Sequence, residues 1–222
     1  MALATLDPTS DLVAARRLIE ALDASTASID DAATDAALGL RVEAVEAGLN
    51  TLSLLDRYGV QRFDQGDLSY AAVRAFYRAL APELRSAPRL LDLGSGYGRF
   101  GLYGALRHGV TLHGIELVAE RAAEATRAAR ALGLDSLSFE AGDLLTTAWP
   151  AADVYLMMNA VLPDLLAGVL TRLEAEAQRR RIVVASVSTS NKGFSQAPWL
   201  RELEIVLEGG WESRELRMWE SL

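Results

Sequence analysis

Residues 89–100 read R-L-L-D-L-G-S-G-Y-G-R-F, and no other stretch of this 222-residue chain limits its fold so strongly. Leu90, Leu91 and Leu93 make a short apolar run that carries one carboxylate, Asp92, near its end. Gly94, Gly96 and Gly98 follow at alternate positions, and a helical pattern begins at Arg99. A buried parallel strand that stops at a glycine-rich turn and feeds a helix opens a nucleotide-type crevice. Glycine lets a ligand approach bare backbone, and the first amides of the helix turn their positive end toward it. The dinucleotide fingerprint G-x-G-x-x-G requires glycine at 99, where this chain has arginine.

The segments after the loop alternate regularly. Strand 89–93 leads to a helix over 99–108, and strand 110–115 ends at Glu116. A helix over 117–132 is closed by Gly133, and strand 137–141 ends at Gly142-Asp143. Strand 154–158 ends at Asn159, a helix spans 162–179, and strand 182–187 is almost wholly apolar, as a central parallel strand should be. Such alternation predicts a doubly wound, mostly parallel sheet. Residues 203–207 and 214–219 read as paired strands around a turn at 208–211, so the sheet should close on an antiparallel hairpin.

Ahead of the glycine loop the pattern is helical. Ser10 caps a helix to residue 24. A second stripe, capped at Ser28, carries Leu38, Val42, Val45, Leu49 and Leu52 at helical spacing, with Gly39 and Gly48 as candidate breaks. Residues 1–60 hold ten acids against four arginines, most of the net charge of −8. Asp31, Asp35, Glu43 and Glu46 punctuate the polar side of the stripe. They read either as a solvated face or as a rim that attracts a cationic substrate. The loop 62–70, R-F-D-Q-G-D-L-S-Y, ends at Ser69, which caps a helix over 70–80. The chain divides on this reading into a helical appendage, 1–61, and an α/β domain, 62–222.

Composition removes several classes. Without cysteine there are no disulfides, thiolate nucleophiles or cysteine-rich zinc sites. His108 and His113 are the whole supply of imidazole, which argues against a metal site. The chain starts without a signal-peptide pattern, and no apolar run reaches the roughly 20 residues of a membrane span. A cytoplasmic protein without a membrane partner is expected. The acidic balance argues against nucleic acid. The single basic cluster, Arg179–Arg181, precedes a strand and falls on the opposite face of the sheet, near a helix C-terminus.

The spacing D-x-G-x-G-x-G from Asp92 to Gly98 resembles motif I of the class I S-adenosylmethionine-dependent methyltransferases. That resemblance implies a seven-stranded sheet with the C-terminal hairpin, and S-adenosylmethionine as cofactor. It implies cofactor contacts from Asp92, Gly94, Ser95, Gly96 and Tyr97. Glu116, with Leu117 beside it, would accept the ribose hydroxyls, since a carboxylate offers two acceptor oxygens. Asp143, beside Leu144, would accept from the adenine amino group. Asn159 would reach the methyl-transfer position, as cofactor contact and catalytic residue. Phe63 and Tyr70, with Asp67 and Ser69, lie where such enzymes fold a lid over the cofactor.

Residues 90–96, 114–116, 142–143 and 159 also resemble the histone lysine methyltransferases of the disruptor-of-telomeric-silencing type, and G-D-L-S-Y at 66–70 is loosely similar to their lid. The basic nucleosome-binding extensions of that family have no counterpart here. D-L-G-S-G is similar to ribosomal-RNA methyltransferases too. The acceptor stays open between a protein side chain, such as lysine or another amine, and a small molecule. A non-catalytic protein that binds S-adenosylmethionine or a nucleotide is the alternative from another class. An NAD-dependent oxidoreductase fits less well, because Arg99 and the terminal hairpin oppose it.

Overall fold

The computed structural model describes residues 8–58, 68–158, 163–188, 190–205 and 215–222. Helices α1 (Pro8–Ala24), α2 (Asp31–Ala37), α3 (Val42–Gly48), α4 (Thr51–Tyr58) and α5 (Tyr70–Leu84) precede the first strand. Then β1 (Arg89–Leu93), α6 (Arg99–His108), β2 (Thr111–Glu116), α7 (Ala119–Ala131) and β3 (Leu137–Ala141) alternate. β4 (Val154–Met158), α8 (Pro163–Ala177), β5 (Val183–Val187), α9 (Ser190–Ser195), β6 (Leu200–Leu203) and β7 (Arg217–Ser221) complete the chain. The strands form one seven-stranded sheet in the order β3-β2-β1-β4-β5-β7-β6. β1 to β5 pair in parallel, and β7 runs antiparallel between β5 and β6. The doubly wound sheet with its C-terminal hairpin is the fold class expected from the sequence.

Period-two alternation divides the strands between two cores. Leu90, Leu112, Val154 and Val183 pack in one cluster with Ile19, Phe76, Tyr77, Leu102 and Ala128, so α1, α5, α6 and α7 cover that face. Leu91, Leu93, Ile115, Tyr155 and Val184 pack with Leu166, Val169, Leu173 and Phe194, so α8 and α9 cover the other. The expected division at 61/62 falls outside the described residues. Hydrophobic packing runs across it, because Ile19, Leu38 and Leu40 belong to the same cluster as Phe76 and Leu102.

Several details depart from the sequence reading, among them the start of α1 at Pro8, which puts the expected cap Ser10 inside the helix. The stripe beyond Ser28 is not one helix: Asp30 caps α2, accepting from the Ala33 amide at 3.0 Å, and Gly39 ends that helix with φ +78°. α5 continues past residue 80 to Leu84, with Pro82 inside it. The hairpin strands lie nearer its ends, at Leu200–Leu203 and Arg217–Ser221. Burial of Met218 and Trp219 sets that register, and the Trp219 indole N–H donates to Ser186 Oγ at 2.9 Å. The expected turn at 208–211 lies outside the described residues.

The acids read as a solvated face or a rim mostly turn inward. Asp31 accepts from the Tyr70 amide at 2.9 Å. Asp35 accepts from the Tyr70 hydroxyl at 2.9 Å and from two nitrogens of Arg99. Glu46 accepts from Tyr97 and Arg121, and Glu43 alone of the four faces solvent. On α1, Asp23 accepts from Tyr103 and Arg107 at 2.9 and 2.8 Å. The basic run is likewise engaged: Arg179 and Arg180 pair with Glu176, and Arg181 with Glu83 and Glu220. Among the described residues no helix is long and apolar enough to cross a membrane.

The Arg99–Asp35 pair is buried on both sides, with 11% and 5% of the two side chains exposed. Removing one member of a buried pair strands the other charge, at a cost of about 3–5 kcal/mol. Asp35→Ala should therefore lower unfolding free energy by about that amount, while Asp35→Leu with Arg99→Met costs less. Urea denaturation of the three proteins checks the ranking.

Candidate functional site

Strand order reverses beside β1, because β2 and β3 extend the sheet one way and β4 and β5 the other. A crevice opens at the carboxyl ends of strands flanking such a reversal. The loop after β1 lies across it. The Gly94 and Ser95 amides both donate to the Ile115 carbonyl, at 2.9 and 3.0 Å, which carries the chain over the end of β2. The Gly98 amide then donates to the Ser95 carbonyl at 2.8 Å. Gly98 is the N-cap of α6, with φ +73°, and a Cβ there would stand 2.6 Å from the Phe139 ring. Only glycine fits that turn. At Gly96 an added Cβ would meet nothing within 4 Å, so this part of the loop faces open space.

That space is a small cleft continuous with solvent. Its wall includes the loop from Gly94 to Tyr97, with Leu68, Phe100 and Met158 as apolar lining. Asp92 also lines it, although the residue is only 3% exposed. Among the described residues no donor reaches the Asp92 carboxylate. Burial, and then the neighbouring charge of Glu116, push its pKa up to about 7. The Ser95 hydroxyl is also buried without a hydrogen-bond partner. Buried polar groups are normally satisfied, and both of these groups line the open cleft.

Glu116 is fixed differently. One carboxylate oxygen accepts from the Gly96 amide at 2.9 Å and the other from the Val118 amide at 3.0 Å. A carboxylate has about four lone-pair sites, so both oxygens keep acceptor capacity. The Gly142 amide donates to the Glu116 carbonyl at 2.8 Å, which sets the end of β3 beside the end of β2. There Asp143 accepts from the Leu145 amide at 2.8 Å, and Leu144 is buried. Glu116, Leu117, Asp143 and Leu144 thus stand along the same edge of the sheet as the cleft but outside its wall.

Tyr70 is not in the cleft. It is buried beneath Arg99, whose guanidinium lies 5.6 Å from its ring centroid, and its hydroxyl donates to Asp35. A side chain so enclosed cannot meet an acceptor directly. Phe63, Asp67 and Asn159 lie outside the described residues. Sequence reasoning missed Leu68, Phe100, Arg99 and Met158 in the cleft wall. Phe100 follows from its place in the first turn of a helix that starts at the crevice, and Met158 from its place at a strand end.

No protein-family model matches the sequence, and no curated protein matches it. Solved structures do match. The Escherichia coli protein yhhF, a methyltransferase by provisional assignment, superposes with TM-score 0.55 at 14% identity, over 71% of this chain and 89% of that one. The mitomycin 7-O-methyltransferase MmcR gives 0.54 at 17% identity, over 97% and 73%. A methyltransferase from Geobacter sulfurreducens gives 0.51 at 17% identity, over 93% and 97%. The fold is that of the class I methyltransferases. At these identities the likeness concerns the fold, and the chemistry rests on the residues of the cleft.

An unpartnered buried carboxylate destabilises the ligand-free protein once it ionises. Its pKa is raised on folding, so the folded state holds a proton that the unfolded chain has lost between about pH 4 and pH 7, and stability falls as pH rises through that window. Asp92→Asn, neutral and nearly isosteric, should raise the melting temperature clearly at pH 8 and little at pH 4. A gain of 1 kcal/mol shifts the melting temperature by about 2–4 °C in a chain of this size. An equal shift at both pH values would remove the burial argument.

Proposed function

We propose that this chain is an S-adenosylmethionine-dependent methyltransferase, with the amino-acid end of the cofactor beside Asp92 and the glycine loop. The observation that carries the reading is the unpartnered Asp92 carboxylate in the cleft wall. A ligand ammonium compensates such a charge. A dinucleotide pyrophosphate would instead meet Asp92 and Glu116 with like charge, which costs rather than gains. The apolar lining from Leu68, Phe100 and Met158 suits the aliphatic part of a methionine chain. Glu116 is proposed to accept from the ribose hydroxyls with its remaining lone pairs, and Asp143 from the adenine amino group.

When bound, S-adenosylmethionine supplies a methyl group on a positively charged sulfur. The protein then needs chiefly to hold and align donor and acceptor. Asn159 is proposed to orient the acceptor at the end of β4. The inward turn of Asp31, Asp35 and Glu46 withdraws the acidic rim as support for a cationic acceptor. The local resemblance to lysine methyltransferases keeps a protein amine among the acceptors to test, beside small molecules. Calorimetry with S-adenosylmethionine, S-adenosylhomocysteine and NAD tests the cofactor. Transfer of labelled methyl to metabolite and protein fractions separates an enzyme from a binding protein. Binding of NAD but not S-adenosylmethionine would refute the proposal.

The site should be pH-sensitive. Below about pH 7 Asp92 is protonated in the ligand-free protein and must release that proton to face an ammonium. Affinity for S-adenosylmethionine should fall by up to about tenfold per pH unit below 7. Asp92→Asn should bind weakly and lose this dependence, as read by calorimetry between pH 5 and 8.

Glu116→Ala removes the proposed ribose acceptor and the anchor of Gly96 together. S-adenosylmethionine binding should weaken by about 1–3 kcal/mol, the usual cost of a lost charge-assisted bond. Unchanged affinity by calorimetry would exclude the ribose role.

A further inference from the structure

We propose that Glu46, on α3, is a positioning residue for the cofactor loop; the inference rests on reading the cleft as the S-adenosylmethionine site. The Tyr97 hydroxyl donates to Glu46 Oε1 at 2.5 Å. Arg121 donates to the same carboxylate, through Nε at 2.8 Å and a terminal nitrogen at 3.2 Å. Tyr97 belongs to the loop after β1, whereas Arg121 stands in the first turn of the helix after β2. One carboxylate from outside the sheet thus joins the two segments between which the cofactor is proposed to lie.

These contacts close a ring. The Gly96 amide donates to Glu116, which also accepts from the Val118 amide. The Val118 carbonyl accepts from the Arg121 amide at 3.1 Å. The Arg121 side chain reaches Glu46, and Glu46 returns through the Tyr97 hydroxyl to the residue beside Gly96. Glu46 is the member of the ring that comes from neither strand end, so removing it opens the ring without removing a proposed cofactor contact.

The helix that supplies Glu46 is weakly packed. α3 contains no fully buried residue. Val42 and Val45, only partly buried, pack against the core, and Arg41, the N-cap of the helix, gives Glu124 of α7 both a backbone and a guanidinium donor. Hydrogen bonds that hold a loop in its binding geometry reduce the ordering cost of binding. Glu46 holds Tyr97 through its hydroxyl, and Asp35 holds Arg99 on the other side of Gly98. The Asp35 pair is buried and belongs to the core, whereas the Glu46 side chain is 28% exposed and acts on the loop.

The test uses the full chain in five variants: Glu46→Ala, Glu46→Gln, Tyr97→Phe, the double variant Tyr97→Phe with Glu46→Ala, and Asp23→Ala as a docking control far along α1. The first readout is S-adenosylmethionine affinity well below each melting temperature. The second is amide hydrogen exchange of residues 94–99 without ligand. Glu46→Ala should weaken affinity by about tenfold and speed exchange in the loop. Glu46→Gln, which keeps an acceptor for the Tyr97 hydroxyl, should recover part of both. Tyr97→Phe combined with Glu46→Ala should cost less than the two single effects together. Asp23→Ala should lower the melting temperature and leave affinity and loop exchange unchanged. The proposal is overturned if Glu46→Ala alters neither readout, or if Asp23→Ala reproduces both. Should the wild-type chain take no S-adenosylmethionine, the cofactor reading fails, and loop exchange alone decides whether Glu46 holds the loop.

Discussion

A parallel strand in the middle of a sheet is enclosed on every side: β2 and β4 pair with the two edges of β1, and helices cover both of its faces. The rest of the structure depends on this enclosure. It demands apolar residues, which Leu90, Leu91 and Leu93 provide. It also makes the end of the strand the one place where a polar side chain can reach both core and solvent. Asp92 stands there. On a strand at the sheet edge the same carboxylate would be hydrated and ordinary. Here it shares a face with Leu90, behind a loop whose amides are committed to Ile115 and Glu116.

The second organising force is electrostatic and comes from the N-terminal third. Asp23, Asp31, Asp35 and Glu46 each bind a donor from the sheet domain or from α5. Long-range pairs of this kind gain little when exposed. Buried, they are costly to break. The consequence is a graded attachment. α1 and α2 are bound through apolar contact and buried charge, whereas α3 adds polar anchors to the partly buried Val42 and Val45 and has no fully buried residue. Segments with few buried apolar contacts open most readily, and α3, which has no fully buried residue, is the helix whose Glu46 touches the glycine loop.

Legibility of the sequence followed the range of the interactions. Residues 89–93, 99–108, 137–141 and 154–158 were readable to the residue, because apolar runs bounded by glycine and proline encode strand ends locally. The glycine loop and Asp92 were readable for the same reason. The inward acids were not: Asp35 and Arg99 are separated by 64 positions, and an acid on the polar side of a helical stripe looks the same whether water or arginine faces it. The stripe itself misled, since Leu38 and Val42 keep helical spacing across Gly39 although the backbone there is left-handed. Tyr70 was placed at the right segment and the wrong depth; helical periodicity locates its turn but not the guanidinium above it.

The two carboxylates at the strand ends differ in a way that spacing does not show. Glu116 is held by two backbone donors, so its orientation is set before any ligand arrives, and it fixes Gly96 in turn. Asp92 has no donor among the described residues and lies near that charge, so its ionised form is disfavoured until a cation enters. Rigidity makes this arrangement stable: β1 is fixed on both sides, so the chain cannot relax by turning Asp92 to solvent. The same paired strands that bury Asp92 therefore keep its carboxylate in the wall of the cleft.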